Sequence, residues 1–179
     1  ARVPGAHNRA NLAAAIAAAT ELGVPQAAIV ETIPSLELPS GRYERIALLS
    51  GVVLIYDAYN ANTAGMIAAL DAFAHEDARR RIALLGSMAE LGESAVDLHR
   101  RVGGHAAGKV DFMLVGGEFA GELALGARSA GFPSERIVPF MTNEQAARWV
   151  RDHARAGDAV LLKGSRKYRL EEIVEELRR

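Results

Sequence analysis

Asp57-Ala58-Tyr59-Asn60-Ala61-Asn62 gathers a carboxylate, a phenol and two amides within six positions. A carboxylate accepts hydrogen bonds from hydroxyl groups, a phenol offers a flat ring with a polar tip, and an amide both donates and accepts. Such a set suits a nucleotide or a peptide. The segment follows the apolar run Val52-Val53-Leu54-Ile55-Tyr56 directly, and Thr63 then opens the helical stretch Met66-Ile67-Ala68-Ala69-Leu70. The polar residues therefore occupy a turn from a buried strand into a helix, where open α/β sheets keep their ligands.

Three more apolar runs end in glycine and polar residues, at Gly86-Ser87, Gly116-Gly117-Glu118 and Lys163-Gly164-Ser165-Arg166. Glycine lets the backbone turn sharply or approach a ligand, and a helix beginning there presents unpaired amide groups to an anion. Lys163-Gly164-Ser165-Arg166 adds two cations and a hydroxyl, and Arg166 can grip a carboxylate or phosphate with two parallel hydrogen bonds. The basic run continues through Lys167 and Arg169, so a solvated surface turn explains this spacing equally well. Gly116-Gly117 lacks a surrounding GxGxxG pattern and reads as an ordinary turn.

In His7-Asn8-Arg9-Ala10-Asn11, the two asparagines are three apart and share a helix face, from which two amides could read an adenine edge. The plainer reading is that Asn8 caps the helix. In Leu85-Gly86-Ser87-Met88-Ala89-Glu90-Leu91-Gly92, Glu90 sits in a loop between hydrophobic anchors and His99 follows in a helix. Glu90 also fits a helix start, and His99 a surface or half-buried position. His75, His105 and His153 have no metal-ligand spacing, so no metal ligand is assigned, and no serine lies in a nucleophile elbow.

These residues need a scaffold of alternating strands and helices, and the pattern supplies one. An alanine-rich helix from His7 to Leu22 stops at Gly23, and Pro25 opens a second helix to about Ile33. Pro34-Ser35-Leu36-Glu37-Leu38-Pro39-Ser40-Gly41 has the composition of a connector, which divides the chain into 1–40 and 41–179. Beyond it, strands Tyr43–Leu49 and Val52–Tyr56 meet at Ser50-Gly51, a pair that reads as a tight hairpin turn. Strands at 82–85, 112–115, 137–138 and 159–162 then alternate with helices at 95–107, 119–130, 143–154 and 170–177. That order predicts an α/β fold: a Rossmann-like, mostly parallel sheet with one antiparallel strand, flanked by helices and preceded by a short helical segment.

Composition narrows the function classes. Half of the 179 residues are hydrophobic and 24% are charged, as in soluble globular proteins. A formal charge of −1 leaves no basic field to gather nucleic acid, and no apolar run reaches membrane-spanning length. Cysteine is absent, which removes disulfides, zinc–thiolate sites and thiol nucleophiles together; a cytoplasmic location is expected.

In their order along the chain these motifs resemble the Mur ligases of bacterial cell-wall synthesis, and within them the branch that adds D-alanyl-D-alanine. The family's Gly-x-His-Asn-x-x-Asn pattern, which closes its ATP-binding central domain, stands here as Gly5 to Asn11. The resemblance implies that residues 1–40 are the tail of that domain, with Asn8 and Asn11 facing adenine. A Gly-Arg pair opens the third domain, here Gly41-Arg42, and its arginine is implied to reach the nucleotide phosphates. The branch motif Asp-Ser-Tyr-Asn-Ala-Asn-Pro stands as Asp57 to Thr63, with Ala58 and Thr63 as departures. It implies Asp57 as the ribose contact, with Tyr59 and Asn60 also on the nucleotide. Leu85 to Gly92 keeps the Leu-Gly-x-Met-x-Glu-Leu-Gly loop, and Lys163 to Arg166 keeps Lys-Gly-Ser-Arg unchanged. There the amino substrate is implied to sit, on Lys163, Ser165 and Arg166 together with Asn62.

The implied reaction is amide ligation. ATP, with Mg2+ held mainly by a missing domain, phosphorylates the carboxylate of UDP-MurNAc-tripeptide, and the amine of D-Ala-D-Ala displaces phosphate. Arg42 and Asp57 carry the catalytic expectation. The chain contains no Gly-x-x-Gly-Lys-Thr loop, so alone it is expected to be inactive, the complete protein acting as a monomer without nucleic acid or membrane. Two alternatives are a folylpolyglutamate synthase type of amide ligase and a Rossmann-like binding module without catalysis.

Overall fold

The computed structural model describes residues 6–36 and 39–179, with side chains from Asn8 onward. Gly5 of the Gly-Ala-His-Asn motif and Glu37-Leu38 of the expected connector lie outside the described residues. The chain divides into two compact units, residues 1–39 and 40–179.

The first unit holds α1 (Ala6–Glu21) and α2 (Gln26–Thr32). Alanine forms α1 because it loses no side-chain entropy in a helix. The helix stops at Gly23, whose φ of +80° is left-handed. There the Val24 and Gly23 amides donate back to the Ala19 and Thr20 carbonyls, each at 3.0 Å, closing the orphan groups of the last turn. Asn8 lies within α1, inside its first turn, so it is not the residue before the helix that a cap requires. α2 buries no side chain, and Leu22, Val24, Val30 and Leu36 are exposed.

The second unit is a six-stranded sheet: β1 (Glu44–Ala47), β2 (Val53–Tyr56), β3 (Arg81–Gly86), β4 (Phe112–Gly116), β5 (Ile137–Phe140) and β6 (Ala159–Lys163). The strand order is β1-β2-β6-β3-β4-β5, with only the β1–β2 pair antiparallel. Between them run α3 (Thr63–Phe73), α4 (Ala95–Ala106), α5 (Ala120–Ser129) and α6 (Asn143–His153), and α7 (Glu171–Arg178) follows β6.

Both faces of the sheet are covered, so its strands are apolar on both sides. Alternation sorts the side chains: Ile55, Ala83, Leu85, Met113 and Leu161 pack with α3, α4 and α5. Leu54, Ile82, Leu84, Val160 and Leu162 pack with α6 and α7. No helix among the described residues is long and apolar enough to cross a membrane.

The hairpin differs from the tight Ser50-Gly51 turn that the sequence suggests. A two-residue hairpin loop needs positive φ at its first position, and Ser50 does not have it. Instead Leu49, Ser50 and Gly51 form a three-residue loop, in which Leu48 donates to the Val52 carbonyl at 2.9 Å and Gly51 sits at φ +78°.

Candidate functional site

Because β2 and β6 are parallel neighbours, with Tyr56 opposite Leu162, the next residues along each strand, Asp57 and Lys163, fall side by side. Alternation turns both toward the face that carries Ile55 and Leu161. Lys163 Nζ lies 3.1 Å from Asp57 Oδ2, with the two side chains only 5% and 9% exposed. The same ammonium donates to the Asn60 carbonyl at 2.9 Å. Burial pulls the Lys163 pKa down, and the Asp57 carboxylate opposes that shift.

Asp57 also binds the entrance of the unit, since its Oδ1 accepts from the Tyr43 amide at 3.2 Å. Beside it, the Tyr59 amide donates to the Gly41 carbonyl at 3.2 Å. Gly41 at φ +75° is needed there, because a Cβ would sit 3.3 Å from the Tyr59 nitrogen and the backbone is left-handed. The residues 41–43 are therefore held against 57–59 by two hydrogen bonds from opposite directions.

That arrangement brings two exposed guanidinium groups to one ring. Arg42 stacks over Tyr59 at 4.3 Å from its centroid, and Arg166 lies 5.7 Å from the same centroid. Tyr59 is 49% exposed, so the face of the sandwich is open to a ligand. Lys163 lies beneath at the carboxyl ends of β2 and β6 against Asp57, and two more carboxylates stand nearby, Glu44 on the Gly41 amide and Glu171 on the Tyr56 hydroxyl. The two guanidinium groups over Tyr59 can pair with an anion.

The structure thus brings together Arg42, Asp57, Tyr59, Asn60, Lys163, Ser165 and Arg166. Ser165 is buried and accepts from the Lys167 amide, which orients the loop carrying Arg166. The Asn62 side-chain oxygen accepts from the Gly65 amide at 2.7 Å and caps α3. Lys163, expected on the amino substrate, has its ammonium against Asp57 and the Asn60 carbonyl. Asn8 and Asn11 lie on α1 in the first unit, Asn8 buried and Asn11 exposed.

The loop after β3 is anchored by Ser87 and His99. Ser87 is fully buried; its hydroxyl donates to the Gly116 carbonyl at 3.1 Å and accepts from the Phe119 amide at 2.8 Å. His99, expected at the surface or half-buried, is fully buried and stacked on Phe119. Its Nε2 accepts from the Met88 amide at 2.8 Å, which leaves the proton on Nδ1 facing the Ala95 carbonyl at 2.6 Å. Burial lowers its pKa and keeps it neutral. The loop so anchored, with Glu90 at φ +61°, lines a cleft of about 180 Å³ shared with Glu118, Phe119, Lys167 and Tyr168. Among the described residues no group of three or more His, Asp or Glu side chains could hold a metal ion, so no chemical step is assigned to one here.

Residues 41–166 match the family described as Mur ligase, glutamate ligase domain. UDP-N-acetylmuramoyl-tripeptide--D-alanyl-D-alanine ligase of Treponema pallidum is 34% identical over 99% of this chain and 38% of its own length. A crystal structure of MurF from Acinetobacter baumannii superposes with a TM-score of 0.83 at 28% identity, over 97% of this chain and 38% of that one. MurF ligase from Thermotoga maritima, in complex with ADP, shares the fold with a TM-score of 0.80 at 24% identity, over 97% of this chain and 38% of that one. The chain thus spans about two fifths of the length of the proteins it matches.

Proposed function

Since this chain belongs to the Mur ligase family of ATP-dependent ligases, we propose that it is the C-terminal part of the enzyme that joins D-alanyl-D-alanine to UDP-MurNAc-tripeptide. Residues 1–40 are then the tail of the central ATP-binding domain, and 41–179 the third domain. The observation that carries this reading is that Arg42 stacks on Tyr59 while its neighbour Tyr43 binds Asp57, both at the start of the Asp57–Thr63 segment that resembles the motif typical of that branch.

Arg42 faces the nucleotide phosphates and offsets their charge, Asp57 accepts from the ribose hydroxyls, and Tyr59 and Asn60 border the same nucleotide. Asn8 and Asn11 meet adenine from the central domain. ATP supplies the phosphoryl group that activates the tripeptide carboxylate, and Mg2+ is held by the central domain. The amino substrate sits by Ser165 and Arg166, with Asn62 shaping the approach. The neighbouring cleft suits a zwitterionic dipeptide, since it sets the cation Lys167 against the acids Glu90 and Glu118 around the apolar Met88 and Phe119. The chemistry asks for positioning and charge neutralisation more than for an acid–base pair. The phosphate loop belongs to the rest of the protein, so this chain alone is inactive.

The test is phosphate release by the complete protein, with UDP-MurNAc-tripeptide and D-Ala-D-Ala omitted in turn. Turnover is expected only when both are present. Turnover with a folate acceptor and glutamate in their place would favour the folylpolyglutamate synthase reading, and none with either set would favour a binding module.

A further inference from the structure

Lys163 lies at the end of a central strand, nearly out of contact with water. A lysine that binds an incoming substrate needs donors turned toward that substrate. Here the ammonium is turned to Asp57 Oδ2 at 3.1 Å and to the Asn60 carbonyl at 2.9 Å. Both partners belong to the turn after β2, and Asp57 in turn accepts from Tyr43, the neighbour of Arg42. One cation therefore fixes the carboxylate, the backbone of the 57–62 turn and, through Tyr43, the entrance segment.

Resting on the ligase reading above, we propose that Lys163 is a positioning residue for the nucleotide side of the site and not a contact for the amino substrate. By pairing with Oδ2 it fixes the orientation of the Asp57 carboxylate. By holding the Asn60 carbonyl it sets the height of Tyr59, on which Arg42 and Arg166 stack. Loss of the ammonium takes a charge partner from a buried carboxylate and a donor from the Asn60 carbonyl, and the carboxylate or the turn that carries it shifts. Either change spoils an acceptor for ribose hydroxyls and leaves the cleft between Met88 and Tyr168 untouched.

The experiment uses the complete enzyme and compares wild type, Lys163→Met, Lys163→Arg and the double variant Asp57→Asn/Lys163→Met in steady-state assays. KM for ATP is expected to rise about tenfold or more in Lys163→Met, with KM for D-Ala-D-Ala changed less than about twofold. Lys163→Arg, which keeps the charge, is expected to recover part of the ATP term. The double variant removes both charges, so it folds even where the single one fails, and it is expected to show the same selective rise. A rise in KM for D-Ala-D-Ala with ATP unaffected would overturn the proposal, and so would a loss of kcat and stability with both KM values unchanged. If instead wild type showed no turnover dependent on D-Ala-D-Ala, the failure would belong to the function proposed for the whole protein.

Discussion

His99 shows how a single buried side chain can govern a loop that spacing presents only as polar. Its ring accepts the Met88 amide, which requires a neutral imidazole with the proton on the other nitrogen. Burial holds its folded pKa below the ordinary value of 6.5, so in acid the unfolded chain takes up the proton first. The stability this residue contributes is complete above pH 6.5 and is lost as pH falls through the folded value. Urea midpoints measured across that range should therefore decline for wild type. His99→Gln should start lower and decline less steeply, whereas identical slopes would show that His99 is not the group responsible. Asp57 and Lys163 are coupled in the same way, so replacing Asp57 alone also disturbs the fold around Lys163. Arg42 is exposed and free of that complication.

At the scale of elements, α4 and α5 meet backbone to backbone. A Cβ on Gly103 would lie 1.9 Å from the Leu123 carbonyl oxygen, and one on Gly126 would lie 1.9 Å from that of Arg100. Gly103→Ala or Gly126→Ala should thus cost about 3 kcal/mol by forcing the helices apart. Gly121→Ala, in the same α5 but with open space around it, should gain about 0.5 kcal/mol from helix propensity. Thermal midpoints that moved alike in all three would contradict this packing. The elements themselves were legible, because the strands are short apolar runs stopped by glycine and the helices carry alanine and amphipathic spacing. Adjacency was not. β2 and β6 are separated by about a hundred residues, and nothing local marks them as neighbours, so the Asp57–Lys163 pair could not be read. The Ser87 and His99 contacts were hidden for the same reason: their partners are backbone amides, which have no sequence signature. Asp57 and Arg166 could be singled out because charged residues at strand ends are informative without knowing the neighbours, whereas Arg42 comes only from the resemblance in its Gly-Arg pair.

For the molecule as a whole, a nearly neutral chain still sets two exposed guanidinium groups, Arg42 and Arg166, over one tyrosine ring. The helices α1 and α2, by contrast, carry exposed leucine and valine and a buried polar Asn8. The proposed division of labour follows: one domain holds the nucleotide, and residues 41–179 bring a phosphate-facing guanidinium and a ribose-facing acid to it. The most direct test is the rate of D-Ala-D-Ala-dependent phosphate release by the complete protein carrying Arg42→Ala, beside wild type and with the fold checked by circular dichroism. The account predicts a fall on the order of 10²–10³-fold in a folded enzyme. A wild-type rate in that variant would contradict it.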